Sequence, residues 1–119
     1  MRNTLDLAKE INSPWANFYS AMAYPGSSLH FMAKSNKTML PEDEGGPGWI
    51  GYSQHAYECL PLPTDHISAQ EVLDFRDNAF NEYFQNPEYL NMIENRFNKN
   101  VVKHINEMTA KKLKRAHHD

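Results

Sequence analysis

Trp15-Ala16-Asn17-Phe18-Tyr19-Ser20-Ala21-Met22-Ala23-Tyr24 is the stretch on which the fold turns. Aromatic and apolar side chains crowd it, and it lies between Pro14 and the turn pair Pro25-Gly26. Proline pushes the residue before it out of the α region, so a helix arriving from the N-terminus must stop ahead of Pro14. A short apolar, aromatic-rich run between such breakers reads as a strand, here a buried one. Before it, Leu5, Ala8 and Ile11 share one helical face with Asp6, Lys9 and Glu10 elsewhere, which predicts a short helix over residues 3–12. After it, residues 29–34 are expected to form another short helix, with Ser27 or Ser28 as its cap.

Residues 36–66 have a different character. Four of the five glycines and four of the seven prolines fall here, including Gly45-Gly46-Pro47-Gly48, so neither a helix nor a continuous ladder can form. Yet Trp49, Ile50, Tyr52, Tyr57, Leu60 and Leu62 make the stretch too apolar for a flexible linker. A long ordered loop of this kind inside a compact domain is usually functional, laying side chains over a pocket or a neighbouring surface.

The C-terminal half reads as helices with clear punctuation. Ser68-Ala69-Gln70-Glu71 is a capping box, with Ile67 and Val72 placed as its hydrophobic staple. Val72, Phe75, Ala79, Phe80 and Tyr83 form the apolar stripe of the helix that follows. Asn86-Pro87 ends it and opens the next, Asn86 as N-cap and Pro87 at the first helical position. Leu90, Ile93 and Phe97 face inward there, and Asn98 is expected to terminate that helix in a left-handed conformation. A last helix uses Val101, Ile105, Met108 and Leu113. Its closing cations Lys111, Lys112, Lys114 and Arg115 are expected to oppose the negative end of the dipole.

Composition narrows the function classes. The chain has 119 residues, 40% hydrophobic and 23% charged, an ordinary balance for one globular core rather than for disorder. A net charge of −3 offers no broad basic field, so nucleic acid is not an expected partner. No apolar run approaches the roughly eighteen residues of a membrane span, and Met1-Arg2-Asn3-Thr4 lacks a signal-peptide core. A lone Cys59 excludes an internal disulfide and a cysteine-rich metal site, and it reads as a small packed hydrophobe in a reducing cytoplasm.

Candidate chemistry is sparse. His55-Ala56-Tyr57-Glu58 sets an imidazole and a carboxylate three residues apart beside Gln54 and Cys59. On a helix the pair would share a face as an acid–base couple or two metal ligands, but two ligands close no zinc site. A hydrogen-bonding role or a substrate contact are the open alternatives. Glu42-Asp43-Glu44 lacks EF-hand spacing and reads as a solvated loop. The glycine turn lacks the lysine of a phosphate loop. Trp49, Tyr52 and Tyr57 either pack the loop down or contact a ligand or partner. His117-His118 is assigned no role. No self-sufficient catalytic or metal-binding constellation is present, so the chain alone is not expected to be a complete enzyme.

Three stretches carry a resemblance. They are the run from Ala16 through Pro25-Gly26-Ser27; Gly46-Pro47-Gly48-Trp49-Ile50-Gly51-Tyr52-Ser53-Gln54-His55-Ala56-Tyr57-Glu58; and Phe75-Arg76-Asp77-Asn78-Ala79-Phe80. Together they resemble the C-terminal part of radical SAM enzymes, particularly the cobalamin-binding-type class. The resemblance implies a mainly α fold with one or two short strands, the C-terminal piece of a partial (β/α) barrel followed by a helical tail. It divides the chain into a last helix–strand unit over 1–35, an ordered Gly/Pro/aromatic loop over 36–66 and a helical tail over 67–119. The family's activity is reductive cleavage of S-adenosylmethionine to a 5′-deoxyadenosyl radical at a four-iron cluster, with cobalamin in this class.

The cluster's C-x-x-x-C-x-x-C loop is missing here, and thiolates are what hold such clusters, so the chain alone is expected to bind none. Barrel sites gather at strand C-terminal ends, which would place Met22, Tyr24, Pro25 and Gly26 nearest the cofactor. Trp49, Tyr52, Gln54, His55, Tyr57 and Glu58 would then supply substrate-side or partner contacts. The expected partner is an upstream radical SAM barrel segment, or a second copy pairing through residues 15–24, because a lone strand is an adhesive edge. The alternative is a stand-alone non-catalytic helical module that binds a protein through its aromatic loop.

Overall fold

The helical spacings along the chain are realised as five α-helices joined by irregular segments in the computed structural model, which describes residues 1–119. They are α1 Arg2–Ile11, α2 Ser28–Ser35, α3 Ala69–Phe84, α4 Pro87–Arg96 and α5 Lys99–Ala110, with 3-10 turns at Trp49–Tyr52 and Ala116–His118. No residue lies in a strand, so the expected short strands and the (β/α) barrel piece are corrected to an all-helical fold. No helix is long and apolar enough to cross a membrane.

Residues 15–24 run without helix or ladder, and the reason lies in where their backbone bonds go. The Arg76 Nε–H donates to the Phe18 carbonyl at 2.7 Å. Ser20 donates its N–H to Gln54 Oε1 at 3.0 Å and accepts from Gln54 Nε2 at 2.8 Å. The Leu62 N–H donates to the Ala21 carbonyl at 2.9 Å. Backbone groups must be paired wherever water is excluded. Here the side chains of Gln54 and Arg76 and the main-chain N–H of Leu62, all from distant segments, supply partners that a ladder would otherwise provide. The Gln54 amide in particular gives Ser20 one donor and one acceptor, as an opposed residue does in an antiparallel pair. The unpaired adhesive edge expected of a lone strand therefore does not arise at these groups.

The chain divides into two units, and the division falls within α3 after Asp74. The first comprises Met1–Phe18 and Phe75–Lys112. Its core is Leu5 of α1, Ala79, Tyr83 and Phe84 of α3, Tyr89 and Ile93 of α4, and Ile105 of α5. Two tyrosines in it keep their hydroxyls satisfied on the bend at Pro14. Tyr83 donates to the Ser13 carbonyl at 2.6 Å and Tyr89 to the Pro14 carbonyl at 2.9 Å. Burial pushes both phenols up, Tyr89 to about 12, so both stay neutral donors over the ordinary pH range. On the same unit's surface, Glu82 accepts from Arg2 Nη2 at 2.6 Å and Lys9 Nζ at 2.8 Å.

The second unit comprises Tyr19–Asp74 and Leu113–Asp119. It has no large core but two small clusters: Met22, Cys59 and Leu73, and then Ala23, Ala33 and Leu40 with Leu62 packed against them.

Capping follows the sequence at most ends. Ser27 Oγ accepts from the His30 N–H at 3.1 Å and starts α2. At α3, the Glu71 N–H donates to Ser68 Oγ at 3.3 Å and the Ser68 N–H to Glu71 Oε2 at 2.9 Å, the reciprocal box. Asn86 Oδ1 accepts from the Glu88 N–H at 3.2 Å ahead of Pro87. Two expectations at the ends are corrected. Asn98, at φ −176° and ψ 175°, is not a left-handed terminator of α4. It is the extended N-cap of α5, its Oδ1 accepting from the N–H groups of Asn100 and Val101. Nor does the last helix reach the cations: α5 stops at Ala110, leaving Leu113 and Arg115 outside it.

Candidate functional site

The loop over residues 36–66 is built by tight backbone turns. Gly48 sits at φ 79° and ψ −169°, a region open essentially to glycine alone, and it precedes the 3-10 turn that presents Trp49 and Ile50. A Cβ on Gly46 would lie 2.5 Å from the Pro41 carbonyl oxygen and 2.8 Å from that of Leu40, so only a bare backbone fits that bend. The Gly48 N–H then donates to the Pro41 carbonyl at 2.7 Å and the Leu60 N–H to the Gly51 carbonyl at 2.9 Å. These closures fix the loop without regular structure.

A polar network holds the same loop to α2. Glu42, expected to be a solvated carboxylate, instead pairs through Oε1 with His30 Nε2 at 2.6 Å and accepts at Oε2 from the Tyr52 hydroxyl at 2.5 Å. The Tyr52 hydrogen bond and then the His30 one hold the Glu42 carboxyl at about 2, well below its ordinary 4.5. Burial and the neighbouring carboxylate push the Tyr52 phenol up, so it remains the donor. A group with a depressed folded pKa adds stability that is complete above its unfolded value and is lost as pH falls through the folded one. Glu42→Gln is therefore expected to cost most above pH about 5 and progressively less down to about 2. Parallel urea titrations of both proteins across that window check it; a pH-independent difference would mean that Glu42 is not held as a charge.

The aromatic candidates divide by exposure. Tyr52 is buried, whereas Trp49 is 69% and Tyr24 49% exposed. The three rings run in sequence, Tyr24 to Tyr52 at 5.7 Å and Tyr52 to Trp49 at 6.0 Å between centroids. The Tyr24 hydroxyl also donates to the Tyr52 carbonyl at 3.4 Å. With Ile50, 50% exposed, they make an apolar ledge.

Of the other residues singled out in the sequence, Met22 is buried against Cys59 and Leu73, and Pro25 and Gly26 form an exposed turn with Gly26 at φ 86°. Gln54 is spent on Ser20. His55 and Glu58 lie exposed in successive turns, not on one helical face. Tyr57 donates its hydroxyl to Asp119 Oδ2 at 2.5 Å.

Tyr57, Glu58 and Cys59 line a cavity of about 420 Å³ together with Met39, Gly45, Gly46, Leu73 and His117. That volume falls at the lower end of small-molecule sites, roughly 300–1,000 Å³.

Two groups here were not legible as a site. Arg115, read from sequence as a dipole cation, is 1% exposed, and its guanidinium donates to the carbonyls of Ala56 at 2.8 Å and Gln54 at 3.0 Å. The Ala116 N–H donates to the Tyr57 carbonyl at 3.0 Å, so residues 113–119 form a strap locked onto the loop. At the strap's end His117 and His118 both direct Nε2 at Asp74 Oδ1, 2.8 Å from each. A buried arginine among carbonyls has no sequence signature. The adjacent histidines were visible, but their carboxylate lies 43 residues away from His117.

Compared with known protein families, with curated proteins and with solved structures, the chain matches none.

Proposed function

We propose that this chain is a non-catalytic binding module that takes a protein partner on the ledge of Tyr24, Tyr52, Trp49 and Ile50. The observation that carries the reading is Trp49, 69% exposed at the tip of a loop that Gly46, Gly48 and the His30, Glu42 and Tyr52 network hold in one shape. An aromatic held ready in this way gives up little conformational freedom on binding, and exposed Trp and Tyr are the residues that anchor interfaces. Asp43, Glu44 and Glu58 are exposed on the same loop. The complementary partner segment therefore pairs an apolar anchor with lysine or arginine, the latter able to stack on the rings.

The reading as a substrate-side segment of a radical SAM enzyme rests on the three resembling stretches and uses the same ledge. It differs in naming the partner, an upstream segment carrying the three cluster cysteines.

The test uses wild-type chain and Trp49→Ala side by side as baits, followed by titration of any differentially held protein in pure form. Trp49 is mostly exposed, so the substitution is expected to leave the fold intact, as far-UV circular dichroism checks. Loss of an interface tryptophan costs about 2 kcal/mol or more, roughly thirtyfold in Kd. A pure partner that binds both proteins equally, or no protein held by the wild type, removes the proposal. A held partner with the C-x-x-x-C-x-x-C loop favours the radical SAM reading; one without it favours the independent module.

A further inference from the structure

We infer that Asp74, His117 and His118 form a binding site for a late first-row divalent cation, zinc being the best match to the donor set. This stands apart from the partner ledge and would survive that reading's failure. The three side chains converge on one point: both imidazoles direct Nε2 at Asp74 Oδ1 across 2.8 Å, and the three ligand atoms all lie within 4.8 Å of one another. In the neutral tautomer that carries its proton on Nδ1, each imidazole presents an Nε2 lone pair, and the two lone pairs then aim at the same place. A cation held there would bind both lone pairs with no net loss of protons, and the carboxylate would neutralise half its charge.

Magnitudes agree with this. Zinc–nitrogen and zinc–oxygen bonds are about 2.0–2.2 Å, which sets ligand atoms roughly 3.3 Å apart in a tetrahedral site. The 2.8 Å contacts therefore need to open by about half an ångström, a side-chain adjustment rather than a backbone one. Access exists, since His118 is 57% and Asp74 40% exposed at the side chain, while His117 at 17% gives the site an inner wall. Water completes the coordination on the open side. The ligands are also well supported. His117 and His118 ride on a 3-10 turn in which the His118 N–H donates to the Arg115 carbonyl at 3.0 Å, and Arg115 is itself anchored in the loop. Asp74 is on α3.

Imidazole with a single carboxylate suits zinc, copper, nickel or iron, and is a poor set for magnesium or calcium, which take oxygen ligands. The bound ion would clip the strap of residues 113–119 to α3, within the second unit.

The experiment titrates zinc chloride into chelator-treated full chain by calorimetry, with cobalt(II) substituted to read coordination from its visible bands. One ion per chain is expected, with a rise in the thermal midpoint and no competition from millimolar-scale magnesium. Asp74→Asn, which preserves shape, and His117→Ala are each expected to lose at least about tenfold in affinity, because even supporting residues of metal sites are worth that much. Four other histidines, at 30, 55, 66 and 104, serve as the internal control. Should either variant unfold, nitrogen-detected imidazole resonances of the wild type decide instead, and zinc should shift Nε2 of His117 and His118 alone. No binding, a stoichiometry other than one, unchanged affinity in Asp74→Asn, or shifts at the other histidines would each overturn the site.

Discussion

Arg115→Met is expected to lower the stability of the second unit by about 3 kcal/mol. The side chain is 1% exposed and its guanidinium serves the carbonyls of Ala56 and Gln54. Hydrogen bonds from a charged donor are worth roughly 1.5–3 kcal/mol each, and deleting the donor removes both, the Ala56 carbonyl keeping the Cys59 N–H at 3.2 Å as a partner. Methionine keeps most of the stem, so the loss reports the guanidinium rather than the packing. Arg115→Lys should recover little of it, because one ammonium on a flexible stem does not reproduce the planar fork that spans two carbonyls. Amide exchange localises the effect: the N–H groups of Ala116 and Leu60, bonded to Tyr57 and Gly51, should lose protection together. An unchanged denaturation midpoint with full protection at Ala116 would show that the strap is held by something else. Because the same anchor orients His117 and His118, Arg115→Met should also weaken zinc binding, although none of its atoms approaches the ion.

The larger effect is expected at Phe84, in the first unit. Its ring is 0% exposed and touches four others, with centroids 5.1 Å from Trp15, 4.8 Å from Phe80, 5.1 Å from Tyr83 and 5.2 Å from Tyr89. The contacts with Tyr83 and Tyr89 are edge-on, the arrangement that ring quadrupoles favour. Phe84→Ala removes the ring from a core whose neighbours are pinned. Tyr83 and Tyr89 are tied by their hydroxyls to Ser13 and Pro14 and cannot slide in to fill the space. Substitutions of this kind cost about 3–5 kcal/mol, and the upper half of that range applies where the cavity does not collapse. For a chain of this size that corresponds to a fall of roughly 15 °C in Tm. Phe84→Leu should cost appreciably less, since most of the volume remains. Differential scanning calorimetry of the three proteins checks the order, and a loss under about 1 kcal/mol for the alanine variant would mean that the ring cluster relaxes freely.

Local chemistry made much of the helical content legible. Ser27, the Ser68 and Glu71 box, and Asn86 with Pro87 act within three or four residues of themselves, so their geometry follows from neighbours that the sequence displays side by side. The same holds for the apolar stripe of α3, whose Ala79 and Tyr83 are core residues. Asn98 shows the limit of such reasoning. An asparagine between two helices suits either a left-handed end or an N-cap, and the adjoining N–H groups of Asn100 and Val101 settle it as a cap.

Three C-terminal helices, the Ser68 and Asn86 caps of the first two, the break at Pro14 and the irregular ordered loop follow from residues that stand next to one another in the chain. Tertiary structure decided everything whose partner lies far along the chain. Residues 15–24 have the composition of a strand, but a strand exists only if a second backbone lies alongside. Here Gln54, Arg76 and the Leu62 N–H take up backbone groups of that segment instead. Glu42 changed from a solvated carboxylate to the centre of a network once His30 and Tyr52 were brought to it, and Arg115 from a helix-end cation to a buried clamp. Asp74 and the two histidines became a ligand set in the same way. Composition and period record what a residue prefers on average. A charge or amide spends its hydrogen bonds on whatever the fold places within about 3 Å, and nothing in the local sequence records that distance.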